Sequence, residues 1–201
     1  MNKGFLVIIS APSGAGKTTI CKRLLKRKPE LVYSISTTTR KPRRGEKTGV
    51  DYFFLNKQEF EKKIKKNQFA EWAIVHSNYY GTLKHFVDRN INAGRIVICD
   101  IDVQGGEKIM KVYPQAVKIF IVPPTWEELE HRLRFRATDT DNVIQRRLKN
   151  AEKELKYLKK YKYCVVNDSV SIAVKHIESV INSEKLMISR LKNINNFFKK
   201  G

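Results

Sequence analysis

The stretch Phe5-Leu6-Val7-Ile8-Ile9-Ser10 runs directly into Ala11-Pro12-Ser13-Gly14-Ala15-Gly16-Lys17-Thr18, and a helix-patterned segment then continues from Lys17 to Lys28 before Pro29. A buried strand passing through a glycine-rich turn into a helix is the context a phosphate-binding loop requires. Backbone N–H groups of such a turn and the helix amino end surround an anion, and a lysine there neutralises its charge. Ala11, Pro12, Ser13, Gly14, Ala15, Gly16, Lys17, Thr18 and Thr19 are therefore the candidate residues for the phosphates of a nucleotide. The Thr18 hydroxyl is the candidate ligand for Mg²⁺. The strict pattern has Gly where Ala11 stands, so the turn at that point must accept a Cβ.

Downstream, short apolar runs alternate with helical periodicity, the pattern of an α/β protein with a mostly parallel sheet. Strands are expected at Gly4–Ser10, Leu31–Ser36, Asp51–Leu55, Phe69–Val75, Arg95–Asp102, Val117–Val122 and Tyr163–Asn167. Helices are expected at Lys17–Lys28, Asn56 to about Asn67, Thr82–Asn92 ended by Gly94, and Gln104–Val112. A further helix opens at Thr125, another runs to about Lys160, and a long one extends from Ser171 towards Gly201. Asn56 with Glu59, and Thr125 with Glu128, have capping-box spacing. The polar, basic stretch Thr37–Gly49, broken by Pro42, Gly45 and Gly49, reads as a loop. The predicted fold is a five-stranded parallel core sheet flanked by helices, with right-handed crossovers and ligands at the carboxyl ends of the strands.

A chain of 201 residues suits one domain with insertions. Its longest uninterrupted apolar run, Phe5 to Ile9, is far below the roughly 20 residues needed to span a bilayer, so no membrane partner is expected. Cys21, Cys99 and Cys164 are too scattered for a disulfide framework or zinc site, and read as buried thiols of a reducing cytoplasm, where the protein is expected to work. The histidines show no metal-ligand spacing. Forty Lys and Arg against twenty Asp and Glu leave a net charge of +20. Most of the lysines fall on exposed helix faces, so nucleic acid is not expected as the principal partner.

Ile96 to Cys99 followed by Asp100 has the form of an apolar strand ending in a carboxylate that can orient a Mg²⁺ shell through water. Asp102 projects to the same side if the strand continues, or else caps the next helix. Ser36-Thr37-Thr38-Thr39-Arg40-Lys41-Pro42-Arg43 carries a second anion signal: Pro42 holds Lys41 extended, and the Arg40 and Arg43 guanidinium forks suit phosphate oxygens.

These segments together, with Glu71-Trp72-Ala73, Asn78-Tyr79-Tyr80-Gly81, Asp100-Ile101-Asp102-Val103-Gln104-Gly105 and Val166-Asn167-Asp168, resemble the guanylate kinases in order and over nearly the whole chain, about 5 to 190. The resemblance implies Mg²⁺-dependent transfer of the ATP γ-phosphoryl group to GMP, with ATP and GMP as the small-molecule substrates. It implies that Arg40, Arg43, Tyr52 and Tyr80 hold the GMP phosphate. Ser36, Glu71, Thr82, Asp100 and Asp102 then line the acceptor site, and Asn167 and Asp168 lie at the adenine of ATP. A carboxylate such as Glu71 accepts from both N1–H and the N2 amine of guanine, which adenine cannot match. The resemblance also implies a mobile lid that brings Arg132, Arg136 and Arg147 onto the transferring group beside Lys17 and Arg40, although Ala137 stands where the family has Gly. The expected division is a core of residues 1–35, 95–125 and 158–201, a GMP-binding insertion at 36–94 and a lid region at 126–157. Two other readings remain: a catalytically silent scaffold of the same fold, opposed by the intact Gly16, Lys17, Thr18 and Arg40, and a regulatory GTPase, opposed by the lack of an N-K-x-D motif.

Overall fold

The computed structural model describes residues 3–75, 77–135 and 140–191. Five parallel strands form the central sheet in the order β2-β7-β1-β8-β9, comprising Val32–Tyr33, Ile96–Asp100, Phe5–Ser10, Val117–Val122 and Tyr163–Val166. Strand β1 is buried along its whole length, as expected of a central strand covered on both faces. Its side chains alternate. Phe5, Val7 and Ile9 pack with Ile20, Cys21 and Leu24 of α1 (Lys17–Arg27) and with Val174 and Ile177 of α7 (Val170–Lys185). Leu6 and Ile8 face Val87 of α3 (Lys84–Asn92) and Ile109 of α4 (Val103–Val112). The period-two pattern of one strand thus sets both layers of the core.

The second sheet is mixed and four-stranded, ordered β4-β3-β6-β5 (Phe53–Phe54, Thr37–Thr38, Asn78–Leu83, Phe69–Val75), with α2 (Lys57–Lys65) beside it. The Asn56–Glu59 capping box at the start of α2 forms in full. Two elements differ from expectation here. Thr37–Thr38 pairs as a strand with Phe53–Phe54 and with Tyr80–Gly81 rather than lying in a loop. Asn78–Leu83 is a strand that delays the start of α3 from Thr82 to Lys84. Gly81 hid that strand, since glycine weakens strand propensity. It is required by packing: a Cβ there would come within 3.1 Å of Phe69, the Glu71 carbonyl and Phe60.

Helices α5 (Trp126–Arg134) and α6 (Asp141–Leu155) pack through Leu129, Leu133, Ile144, Leu148 and Ala151. Thr125 caps α5 through the Glu128 N–H, but the Glu128 carboxylate turns to Arg132 Nε at 2.7 Å, so the reciprocal half of the expected box is missing. Helix α6 ends at Leu155 and passes into a 3₁₀ turn at Lys156–Lys160.

The expected long carboxyl-terminal helix stops at Lys185, followed by a 3₁₀ turn at Ile188–Arg190. Its end is fixed by Glu184, a buried acid that accepts hydrogen bonds from Tyr163 Oη at 2.7 Å, Lys162 Nζ at 2.9 Å and Arg190 Nη2 at 2.8 Å. Arg190 also lies over the Phe5 ring, and its carbonyl takes the Lys3 N–H. Cys21 and Cys99 are buried as expected, but Cys164, on the edge strand β9, is exposed. Among the described residues no helix is long and apolar enough to cross a membrane.

Burial alone would raise the Glu184 pKa, yet its three donors bring it down to about 2. Its stabilising contribution is therefore complete above the ordinary carboxylate range, declines as pH falls from about 4.5, and is gone below about 2. Glu184→Gln is expected to lower unfolding free energy by about 3 kcal/mol at pH 7, and urea titrations of the two proteins should converge as pH falls through that window.

Candidate active site

Helix α1 begins without a side-chain cap. Gly16 occupies its N-cap at φ 88° and no acidic residue lies in the first turn, so the helix presents its unpaired N–H groups and positive dipole end to the loop. Gly14 and Gly16 supply the left-handed conformations; the only non-glycine residues with positive φ among those described are Asn67 and Ser77. Ala11 thus sits where a Cβ costs no backbone strain, which accounts for its place in the motif. A cavity of about 280 Å³ opens above this loop, bounded by Pro12, Ser13, Lys17, Thr19, Asp102 and Glu154.

Strands β1 and β7 lie side by side with Ile9 opposite Asp100. This register brings the Lys17 ammonium onto the Asp100 carboxylate as a hydrogen-bonded ion pair. Burial by itself would lower the Lys17 pKa, but Asp100 more than offsets it and the net shift is upward. The Thr18 hydroxyl and the Asp100 carboxylate line the same space, and they are hard oxygen donors of the kind Mg²⁺ takes. Among the described residues no group of three or more His, Cys, Asp or Glu forms a metal cage.

A larger cavity of about 750 Å³ lies between this loop and the mixed sheet, and Lys17, Thr18 and Asp102 border both spaces. Ser36, Tyr52, Glu71, Tyr80, Asp100 and Asp102 all line it. Glu71 stands directly opposite Thr82 across β5 and β6, and accepts the Thr82 hydroxyl at 2.8 Å. Thr82 itself is buried behind Glu71 and does not border the cavity. On the other side Gly105 of α4 abuts the carboxylate, leaving no room for a Cβ, which would come within 2.9 Å of Glu71 Oε2. Burial raises the Glu71 pKa to about 7, with the nearby Asp102 adding to the rise and Thr82 and Lys108 opposing it. Asp102 does cap α4, accepting the Gln104 and Gly105 N–H groups through one carboxylate oxygen.

Arg40 stacks over Tyr52 and Phe54 and donates to Glu46 Oε1 at 2.8 Å, while the Arg43 backbone N–H donates to Glu46 Oε2 at 2.7 Å. Neither guanidinium borders the cavity, and Arg43 is exposed. Glu46, which the residue pattern had not singled out, therefore organises the arginine loop. Arg132 donates to Glu128 and to the Asn167 carbonyl at 3.0 Å, and Arg147 is half-buried on α6. Arg136 and Ala137 lie outside the described residues. Asn167 is buried beneath the phosphate loop, its amide donating to the Ala15 carbonyl at 2.7 Å, while Asp168 is exposed.

A strand–loop–helix anion cradle on a parallel sheet, facing a polar cavity edged by a separate mixed sheet, defines a P-loop protein built around two adjoining sites. The family model described as guanylate kinase matches residues 3–184. A guanylate kinase of Caldanaerobacter subterraneus subsp. tengcongensis is 46% identical over 192 residues, covering 96% of this chain and 93% of that one. Another, from Clostridium tetani, is 47% identical over 193 residues, covering 96% and 92%. The crystal structure of guanylate kinase from Anaplasma phagocytophilum superposes with a TM-score of 0.80 at 30% identity, covering 98% of this chain and 94% of that one. The chain belongs to the guanylate kinase family.

Replacing Thr82 with Val removes the O–H that favours ionised Glu71 while keeping side-chain volume. The Glu71 pKa is expected to move above about 7, as carbon-13 NMR of labelled glutamate side chains would register; an unchanged titration would mean the hydrogen bond does not tune this group.

Proposed function

We propose that this protein transfers the γ-phosphoryl group of ATP to GMP, giving ADP and GDP. The observation that carries the reading is the buried, threonine-bound Glu71 in a cavity that adjoins the phosphate loop through Lys17, Thr18 and Asp102. In this reading the smaller space takes the ATP phosphates and the larger one takes GMP. Ionised Glu71 accepts from guanine N1–H and the N2 amine; adenine would set a lone pair against the carboxylate, a mismatch of several kcal/mol. Ser36 and Asp102 complete the base end, Thr82 acts from behind through its hydrogen bond to Glu71, and Arg40, Arg43, Tyr52 and Tyr80 take the phosphate. For Arg40 to do so, the nucleotide phosphate must share or displace Glu46, which now holds that guanidinium.

The acceptor phosphate is an anion at neutral pH, so one of its oxygens attacks the γ-phosphorus in line without a general base, and ADP leaves with the electrons of the broken P–O bond. Lys17 and the loop amides neutralise charge developing on the transferred group. Mg²⁺, held at Thr18 and through water at Asp100, would supply further charge neutralisation when bound with ATP. Lys17 must exchange Asp100 for phosphate oxygens, and the upward shift of its pKa keeps it cationic for that exchange. Residues 36–94 act as the acceptor-binding insertion and 126–157 as a lid that closes Arg132, Arg136 and Arg147 over the reacting group and excludes water. Arg132 would leave the Asn167 carbonyl in that step. The composition and the three unbridged thiols fit work in the cytoplasm.

A coupled assay of ADP formation with GMP, dGMP, AMP or no acceptor tests the reading. GMP-dependent turnover is expected; hydrolysis independent of acceptor, or silence with every acceptor, would overturn it. Lys17→Met is expected to lower kcat at least about a hundredfold, with circular dichroism unchanged. Because a group with a pKa near 7 is mostly protonated at pH 6, the KM for GMP is expected to rise about tenfold from pH 8 to pH 6. The KM for ATP should change far less, and Glu71→Gln should flatten the GMP profile.

A further inference from the structure

Three contacts fasten helices α5 and α6 to the phosphate loop, and only one of them involves a residue on the same helix as Arg147. The first is apolar: a Cβ on Gly14 would lie within 3.0 Å of the Leu129 and Leu133 side chains, so these residues form the wall behind the loop. The second is a relay in which Arg132 holds the Asn167 carbonyl while the Asn167 amide holds Ala15. The third is Glu154, near the carboxyl end of α6, whose Oε2 accepts the backbone N–H of Ser13 at 2.9 Å. Glu154 and Arg147 are seven residues apart, close to two helical turns, so they share one face of α6. Anything that fixes Glu154 on the loop therefore fixes the line along which Arg147 is carried.

A carboxylate bordering an anion site carries an electrostatic cost. Glu154 lines the phosphate cavity together with Lys17 and Asp102, and its burial raises its pKa, a shift only partly opposed by the Ser13 N–H. A negative group in this place weakens phosphate binding unless the hydrogen bond it makes returns more than the repulsion takes. The loop has an amide that needs an acceptor: Ser13 N–H lies at the part-buried rim, where an unpaired donor costs about 1–3 kcal/mol. The carboxylate supplies that acceptor from a helix on the opposite wall.

We propose that Glu154 is a positioning residue of the phosphoryl-transfer site: by accepting the Ser13 N–H it holds the rim of the phosphate loop in its binding shape and anchors the carboxyl end of α6 to that rim, so that the part of the helix carrying Arg147 closes from a fixed base. The part that concerns Arg147 rests on the ATP-site reading above; the anchoring of the loop is tested without an acceptor or turnover. Three variants separate geometry from charge. Glu154→Gln keeps an oxygen that accepts the N–H but loses the charge. Glu154→Asp keeps the charge and withdraws the carboxylate by one methylene. Glu154→Ala removes both.

Calorimetric titration with MgADP is expected to show about tenfold weaker binding for Ala and for Asp, and binding within about threefold of the unaltered protein for Gln. In the coupled assay the same two variants should lose about tenfold in kcat/KM for ATP while the KM for GMP stays within about twofold, a split that general loosening of the fold would not produce. Thermal melting identifies any variant that fails to fold, and Asp and Gln together carry the test if Ala does. Equal or tighter MgADP binding by Ala and Asp would overturn the proposal and mark Glu154 as a repulsive neighbour only. Weakening in Gln as large as in Asp would overturn the hydrogen-bond assignment. Absence of GMP-dependent turnover in the unaltered protein, with the MgADP pattern intact, would fall on the acceptor reading instead.

Discussion

Lys17 and Asp100 hold each other across the junction of two neighbouring strands, and the rest of the site is arranged around that pair. Lys17 belongs to the first turn of α1 and Asp100 to the last position of β7; they are brought together because β1 and β7 run parallel with Ile9 opposite Asp100. Neither charge would be stable alone in so covered a place. The pairing compensates both charges without a bound ligand, at the mouth of a loop whose other donors are main-chain amides and the hydroxyls of Ser13, Thr18 and Thr19. Polar residues flank this junction on both sides: Thr18 and Asp102 border both cavities, Glu71 lines the larger and Glu154 the smaller.

Glu71 shows how enclosing an acid works against its ionisation. Burial of a carboxylate enclosed by Thr82, Gly105 and the strand backbone pushes its pKa up to about 7. In the proposed guanine-binding role the same enclosure would make it discriminating, because a partner that fails to present donors leaves it without compensation. Gly105 belongs to this arrangement as much as Thr82 does: one supplies a hydrogen bond, the other supplies space. Arg40 is held in a comparable way, its guanidinium occupied by Glu46 and stacked on two rings. Its loop is thus ordered by internal partners, among them the Glu46 carboxylate.

The parallel core was legible because its strands are short, buried runs of β-branched residues separated by helical periodicity, and these signals survive without knowledge of neighbours. The mixed sheet was only half legible. Phe69–Val75 carries its own strand pattern, whereas Asn78–Leu83 contains a glycine that only Phe60 and Phe69 explain, and Thr37–Thr38 is too short to signal itself. The carboxyl-terminal helix stops short of the sequence pattern, which remains helix-compatible past Lys185, because Glu184 with its three hydrogen bonds and the stacking of Arg190 on Phe5 end it. Cys164 has the apolar neighbours of a buried thiol but sits on an edge strand. Glu154 and Glu46 carried no distinguishing pattern, being acids among many lysines and arginines.

The amino-acid sequence by itself determined the phosphate-loop motif, the parallel α/β class and the family, because loop chemistry is contiguous: the amides, the lysine and the hydroxyl suited to one anion are consecutive in the chain. Tertiary structure alone decided which carboxylates meet which partners. The pairs Glu71 with Thr82 and Gly105, Lys17 with Asp100, and Glu154 with Ser13 join residues brought together by strand register and helix docking. Those contacts follow from where apolar faces pack, and the order of residues along a chain does not specify them.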